Sequence, residues 1–147
     1  MRCFVISKTY PSDVFDLHPI LESDTIGVAQ LDCCKVLLMN DSNYPWLILV
    51  PQRPGLRELH DLKPEDLYLT TSELVKCSEA VENIFSPDKI NIGLLGNQVP
   101  QLHIHVIARF TVDPAWPKPV WGQVPVLPYM TKDIDERVGL LRGALLS

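Results

Sequence analysis

The sequence predicts an α+β fold in which an antiparallel sheet carries a helix on one face. Three stretches rich in β-forming residues follow one another, one long amphipathic segment comes next, and two more β-rich stretches follow it. The resulting order, β-β-β-α-β-β, lacks the regular alternation of strands and helices that a parallel sheet requires. A chain of 147 residues is long enough to bury its own core, so we expect residues 1–147 to form a single domain.

The first half of the chain contains the three consecutive strands. Residues 1–24 show no sustained period and predict an arm with a helical turn. The strands are expected around residues 26–28, 35–39 and 46–50, because β-branched and aliphatic residues there are bounded by polar clusters. Pro51 is expected to end the third strand.

The second half begins with a long helix. Lys63-Pro64-Glu65-Asp66 is typical of a helix start, with proline at the first helical position and acids in the first turn. Ser86-Pro87 is expected to end this helix, and strands are predicted over 89–94 and 102–110. A last helix is predicted from apolar residues on one face, namely Ile134, Val138, Leu141 and Leu145.

Composition excludes several classes of protein. A net charge of −5 argues against a protein that grips a nucleic-acid polymer, which needs a basic surface. Apolar runs such as residues 46–50 are far shorter than the ~20 residues of a membrane span. The start of the chain shows no signal peptide pattern, so we expect a cytoplasmic protein. Five of the 13 prolines lie in residues 114–128, together with Trp116 and Trp121, and predict an extended arm.

Two of the four histidines lie in the predicted fifth strand. Because strand side chains alternate between faces, Gln101, His103 and His105 are expected on one face, with apolar neighbours on the other. The residues alone leave three interpretations open. The histidines are ordinary buried residues, they are two ligands of a metal site that needs a third, or one imidazole is a nucleophile. The preceding loop, residues 93–98, suits the third interpretation because its backbone N–H groups and amides can bind phosphate oxygens.

The segment from Gly96 to Ile107 resembles the signature of the histidine triad family, His-φ-His-φ-His-φ-φ, where φ is apolar. The first histidine is replaced here by Gln101. The similarity covers a core of about residues 25–110, with the arm 1–24 and residues 111–147 outside it. The whole chain is similar to a bacterial branch of the family that has glutamine at this position.

This resemblance implies an α+β fold with a five-stranded antiparallel sheet, one long helix and a C-terminal helix, paired into a homodimer. It also implies hydrolysis or transfer of nucleoside monophosphate groups from a small nucleotide substrate, without a metal or other cofactor. Catalysis proceeds in the family by attack of the middle histidine on the α-phosphorus, which corresponds to His103. A nucleotide-binding module without turnover remains the alternative, and a His-x-His metal site is a further one.

The resemblance also implies roles for individual residues. His105 would hydrogen-bond the phosphate, and Gln101 would lie beside the leaving group. Asn97 and Gln98 would contact phosphate oxygens, Asn40 would bind ribose, and Asn91 would help to shape the site.

Two departures from the family pattern bear on these roles. The Pro-Gly-His element common before the third strand is replaced by Tyr44-Pro45-Trp46. An amide at position 101 can donate a hydrogen bond but cannot deliver a proton, which predicts leaving groups that are already stable as anions.

The other candidates have structural explanations. His18 is expected to be a surface or packing residue, and His60 is expected to cap the helix or to be solvated. Arg109 is expected to form a salt bridge or to face solvent rather than to clamp a phosphate. Trp116 and Trp121 form either an aromatic lid over a base or a packed part of the arm.

Overall fold

The computed structural model describes residues 14–147, and its centre is one antiparallel sheet of five strands. The strand order in the sheet is β1-β2-β3-β5-β4, so the predicted α+β class and the five-stranded sheet are confirmed. The strands are β1 (Thr25–Gln30), β2 (Cys34–Met39), β3 (Trp46–Pro51), β4 (Lys89–Gly93) and β5 (Ile104–Arg109).

One face of the sheet is covered by two helices, α2 (Pro64–Phe85) and α3 (Thr131–Leu146). Alternate strand residues such as Val36, Leu49 and Val106 point to this face and are fully buried with helix residues. The predicted start of α2 at Pro64 is confirmed, and its end is marked by Ser86 in the left-handed conformation, with φ 49°. The last helix is also confirmed: Val138, Leu141 and Leu145 are buried, and Ile134 is partly buried against the same cluster.

The other face of the sheet is covered mostly by irregular chain. The short helix α1 (Pro19–Asp24) lies there, as does the extended arm 111–130. Apolar residues of these segments pack on the strand residues that point away from α2 and α3: Leu21, Ala115 and Val120 contact the cluster that contains Leu37, Trp46, Ile48, Val50 and Ile107. The predicted helical turn in the first 24 residues is therefore α1, while the first part of that arm lies outside the described residues.

The strand bounds differ from prediction at the loop between β4 and β5. β4 ends at Gly93 rather than at residue 94, and β5 begins at Ile104 rather than at residue 102. Gln101 and His103 therefore precede β5. None of the helices in residues 14–147 is long and apolar enough to cross a membrane.

Candidate active site

The two histidines of the predicted site lie on the irregularly covered face of the sheet. His105 is the second residue of β5, opposite Ile48 of β3 and Gly93 of β4. His103 lies two residues earlier, and the two imidazole rings are 4.9 Å apart between centroids, at 76° to each other. Both residues are almost fully buried, with 6% and 5% of their surfaces exposed. The expected placement of both imidazoles on one side is confirmed.

The hydrogen bond of His103 selects its tautomer. Its Nδ1 lies 2.6 Å from the backbone oxygen of Gln101. Because a carbonyl oxygen only accepts hydrogen bonds, Nδ1 carries the proton in the neutral ring. The lone pair is then on Nε2, which is the arrangement that a nucleophilic imidazole needs.

His105 has the opposite tautomer. The indole Nε1–H of Trp46 donates to its Nδ1 at 2.9 Å, and because an indole nitrogen only donates, Nδ1 carries the lone pair. The proton of the neutral ring is therefore on Nε2. Burial, followed by the charge of His103, lowers the pKa of His105 to about 3. The pair thus combines a ring that can attack with a neutral ring that can donate a hydrogen bond to a phosphate oxygen.

Aromatic side chains surround His105. Trp121, from the arm 111–130, lies 5.2 Å from the His105 ring and 5.9 Å from Trp46, in edge-to-face contacts. Trp121 also covers Gly93, where an added Cβ would lie 2.9 Å from the indole ring. Glycine at position 93 therefore lets Trp121 approach the sheet, and Trp121 forms a wall of the site.

Two cavities meet at His103. The first, which we call the apolar cavity, has a volume of about 360 Å³ and extends between α1 and Trp121. Most of its lining is apolar, including Ile20, Leu21, Met39, Ile48, Val99 and Trp121, and His103 and His105 lie at its wall. The second, which we call the polar cavity, has a volume of about 270 Å³ and is lined by His103, Gln101, Asn97, Arg57 and Glu58, among others.

The loop between β4 and β5 offers free backbone donors beside His103. Within the described part of the chain, the N–H groups of Gly96, Asn97 and Gln98 form no hydrogen bond, and all three residues are exposed. Asn97 borders both cavities, and Gln98 borders the apolar one. Such a loop can bind the oxygens of an anion.

Gln101 is held by the segment before α1. Its side-chain oxygen accepts a hydrogen bond from the His18 N–H at 2.9 Å, and its amide nitrogen donates to the Asp16 carbonyl at 2.8 Å. The His18 ring in turn accepts from the Ile20 N–H and caps α1, whereas the sequence predicts only a surface or packing residue there. Gln101 thus fixes the segment that carries one wall of the apolar cavity.

Asn40 and Asn91, which were predicted to bind ribose and to shape the site, do not line either cavity. The side-chain oxygen of Asn40 accepts from the Tyr129 N–H at 3.0 Å, and that of Asn91 accepts from Arg109 at 2.7 Å. Both oxygens are therefore occupied by the protein. The residue pattern did not reveal this, because the partners lie 89 and 18 residues away in the chain.

A buried ion pair lies on the same face of the sheet. Arg109, only 1% exposed, donates two hydrogen bonds to Asp113, and its Nε lies 2.7 Å from the carboxylate. Burial alone would raise the pKa of Asp113, but hydrogen bonds from Arg109, Phe110 and Ala115 lower it below its usual value. The Arg109 guanidinium also lies 5.7 Å from the Trp116 ring. Of the two places predicted for Arg109, a salt bridge or solvent, the structure shows the salt bridge, and Trp116 belongs to this packed cluster.

Sequence reasoning missed the role of Trp46. The alternating pattern of β3 places Trp46 on the face that carries the histidines, but only strand pairing places it beside β5.

The metal-site interpretation needs a third ligand beside the two histidines. No group of three or more His, Cys, Asp or Glu side chains in residues 14–147 is suited to hold a metal ion.

Comparison with known proteins finds a matching domain family and similar chains. The HIT domain model matches residues 21–112. A bis(5'-nucleosyl)-tetraphosphatase (asymmetrical) of Schizosaccharomyces pombe is 32% identical over 72 residues, which cover 46% of this chain and 39% of that enzyme. The chain thus spans about two-fifths of the length of the curated relative that it matches.

Solved structures are similar over most of the chain. A histidine triad protein of Bradyrhizobium japonicum is 42% identical with a TM-score of 0.88, covering 90% of this chain and 98% of that one. One from Marinobacter aquaeolei has the same identity and TM-score and covers 90% and 97% of the two chains. One from Sinorhizobium meliloti is 41% identical with a TM-score of 0.86, covering 88% and 96%.

Proposed function

This chain belongs to the HIT domain family, and from that premise we propose that it hydrolyses or transfers the nucleoside monophosphate group of a nucleotide conjugate. The observation that carries the proposal is the pair of opposite tautomers at His103 and His105. One ring has a lone pair available at Nε2, and the neighbouring ring has a proton there. A similar enzyme, the tetraphosphatase of Schizosaccharomyces pombe, supports phosphoric anhydride hydrolysis as the reaction class.

The proposed reaction has two steps. The Nε2 atom of His103 attacks the α-phosphorus, a P–N bond forms, and the bond from phosphorus to the leaving oxygen breaks with its electron pair on the leaving group. Water then attacks phosphorus, the P–N bond breaks, and the electron pair returns to Nε2 while the water proton passes to solvent. A second phosphate in place of water would give transfer instead of hydrolysis.

The surrounding groups suit the phosphate that passes through these steps. The Nε2–H of His105 and the free N–H groups of the 96–98 loop are donors for its non-bridging oxygens, and Asn97 and Gln98 add side-chain amides. Donors that are already oriented stabilise the charge that develops on these oxygens. The nucleoside would occupy the apolar cavity between α1 and Trp121, where the aromatic ring offers a surface for a base.

Gln101, at the position of the first triad histidine, constrains the leaving group. A carboxamide cannot protonate a departing oxygen or nitrogen. The proposed substrates therefore release groups that are stable as anions, such as phosphate, pyrophosphate or a nucleotide, rather than amines. Faster release of an amine from an adenosine phosphoramidate than of a nucleotide from an adenosine polyphosphate would contradict this preference.

We further propose that the protein acts as a homodimer. Strands β1 and β4 are the two edges of the described sheet, and an edge strand can pair with a strand of a second copy. Ile92 on β4 is 49% exposed, which suits contact with another chain. Sedimentation of the full chain at several concentrations measures the oligomeric state, and a monomer throughout would reject this part of the proposal.

A nucleotide-binding module without turnover is the second candidate function. The observation that favours it is the engagement of Gln101 with the backbone of Asp16 and His18, which leaves no acid at this position. The two candidates differ in one property, the formation of a covalent nucleotide adduct.

Trapping of that adduct tests the proposal. The protein is mixed with bis(5'-adenosyl) tetraphosphate labelled in an α-phosphate and quenched in base, because a phosphorus–imidazole bond is labile to acid. We expect label on the wild-type protein that acid then releases. The His103→Ala variant should lose the adduct and at least about 100-fold in turnover, which corresponds to about 3 kcal/mol of transition-state stabilisation.

The matched control is His60→Ala, since His60 is an exposed histidine whose side chain has 84% of its surface in solvent. Its adduct and turnover should equal those of the wild type. Nucleotide binding without any adduct would favour the binding module, and normal turnover of His103→Ala would remove His103 from the nucleophile's role.

A further inference from the structure

His103 lies between two cavities of different chemistry. The apolar cavity contains aliphatic and aromatic residues, whereas the polar cavity brings Arg57, Glu58, Asn97 and Gln101 to the same imidazole. In a displacement at phosphorus, the leaving atom lies opposite the attacking atom and the nucleoside is attached through another oxygen, so the two ends of a substrate extend from phosphorus in different directions. The two cavities therefore suit the two ends of one substrate.

Arg57 is a cation on the polar side. It lies in the loop between β3 and α2, which is fixed against the approach to β5 by a hydrogen bond from the Leu102 N–H to the Leu56 carbonyl, at 3.0 Å. The Arg57 N–H itself donates to an Asp61 carboxylate oxygen at 3.0 Å. These bonds hold the backbone of Arg57 at the mouth of the polar cavity.

The guanidinium of Arg57 has no ion pair or hydrogen bond with any residue in 14–147. Two other arginines of the described chain form ion pairs, Arg53 with Asp66 and Arg109 with Asp113. An arginine fork matches phosphate oxygens in geometry and charge. In a chain with a net charge of −5, an arginine without a partner in residues 14–147, at the wall of the same cavity as the proposed nucleophile, is suited to attract an anion.

We propose that the polar cavity binds the leaving group as an oligophosphate chain, and that Arg57 is the residue that selects for its negative charge. This inference rests on the proposed function and adds the chemical class of the leaving group. It also accounts for Gln101 at this wall: a leaving group that departs as an anion needs a cation nearby and no proton.

Glu58 lines the same cavity, and its negative charge should affect anion binding in the direction opposite to Arg57. It forms a reciprocal capping box with Asp61 around the 3₁₀ turn Leu59–Asp61, and its charge opposes an anion there. Removing the charge of Arg57 should weaken binding of an anionic leaving group, and removing the charge of Glu58 should strengthen it. A cavity that serves only as a solvent channel would show neither effect.

The experiment compares two substrates that differ only in the leaving group. Bis(5'-adenosyl) tetraphosphate releases a highly charged nucleotide, and adenosine 5'-(4-nitrophenyl phosphate) releases a phenolate that needs no proton and carries no phosphate. For the tetraphosphate, Arg57→Ala should lower kcat/KM about tenfold, as expected for loss of a charged hydrogen bond at an exposed site, and Arg57→Lys should recover part of the loss. Glu58→Gln should raise kcat/KM for the tetraphosphate by a smaller factor. All three variants should cleave the nitrophenyl ester at the wild-type rate.

Lys132→Ala is the matched control, because it changes the net charge by the same amount at an exposed position of α3, away from both cavities. Equal losses for both substrates in Arg57→Ala, or no loss, would overturn the proposal. If the wild type cleaves neither substrate, the proposed function fails, but calorimetry still tests the cavity. ATP should bind more tightly than AMP, and Arg57→Ala should reduce the ratio of the two affinities about tenfold. An unchanged difference would reject the role of Arg57.

Discussion

The two faces of the sheet differ in how they are covered and in what they can do. The face under α2 and α3 is packed with aliphatic residues such as Val36, Leu49 and Val106, all fully buried. The opposite face is covered by α1 and the arm 111–130, and it contains buried polar groups, among them His103, His105 and Arg109.

The two faces therefore contribute differently: one mainly buries apolar surface, and the other positions polar side chains. Regular helices bury apolar surface with their own backbone hydrogen bonds satisfied, so the face under α2 and α3 needs few polar partners. Its buried carboxylate, Glu73 of α2, accepts hydrogen bonds from the backbone N–H groups of Cys33 and Cys34.

On the other face, three buried polar side chains each have a particular partner: Trp46 for His105, a backbone carbonyl for His103, and Asp113 for Arg109. A buried polar group without its partner is costly, so these residues must be placed as sets.

The largest expected effect comes from breaking the ion pair on the irregularly covered face. Arg109→Met leaves the Asp113 carboxylate buried without its cation and should lower the free energy of unfolding by about 3–5 kcal/mol. Urea unfolding measures it. The double variant Arg109→Met/Asp113→Asn should recover part of the loss, because no buried charge remains and the amide oxygen can still accept a backbone hydrogen bond.

Leu141→Ala provides the comparison on the helix-covered face. Leu141 is fully buried in α3, and its truncation should cost about 2–5 kcal/mol by leaving a cavity. Because the lost stability comes from an empty cavity and not from an unpaired charge, removing a polar partner elsewhere should not restore it. If the Arg109 variant loses less than about 1 kcal/mol, or the double variant is no better than the single one, the contrast between the two faces does not hold.

A smaller effect is expected from pH at His105. Its pKa falls from 6.5 to about 3 on folding, so between these values the unfolded chain binds a proton that the folded chain does not. The stability that neutral His105 confers is complete above pH 6.5 and is lost as the pH falls towards 3, at about 1.4 kcal/mol per pH unit. We expect the free energy of unfolding, measured in urea at pH 7, 6 and 5, to depend less steeply on pH in the His105→Asn variant, by this amount. Parallel curves for wild type and His105→Asn would contradict the lowered pKa of His105.

The smallest expected effect concerns the tautomer of His105. Trp46→Phe removes the indole donor but keeps an aromatic ring, so both tautomers of His105 become accessible and turnover should fall by roughly tenfold, the effect of one lost oriented hydrogen bond. Imidazole nitrogen chemical shifts report the tautomer directly: Nε2–H in the wild type and a mixture in the variant. A single Nε2–H tautomer in Trp46→Phe would mean that Trp46 only packs against His105.

The sequence was most informative about the helix-covered face. The apolar periods of residues 64–85 and 131–146 identified α2 and α3, and the alternation around His105 identified which side of β5 carries the imidazoles. Local patterns suffice for these features because one buried side follows directly from helical or strand geometry.

The other face was predicted only in part. The signature around His103 indicated the nucleophile, but Asn40 and Asn91 were assigned to ligand contacts while their oxygens bind Tyr129 and Arg109. Gln101 was expected to continue the row of imidazoles, yet its carboxamide is held by residues 16 and 18. Irregular chain has no period from which such contacts can be read.

The sequence by itself therefore determined the strands, the helices, the family signature and the face on which His103 and His105 lie. Only the tertiary structure decided which tautomer each imidazole adopts, because the Trp46 donor comes from another strand. It also decided that Trp121 walls one cavity and Arg57 borders the other. The physical reason is range: side-chain periodicity is set by neighbours a few residues apart, whereas hydrogen bonds and cavities depend on segments that only folding brings together.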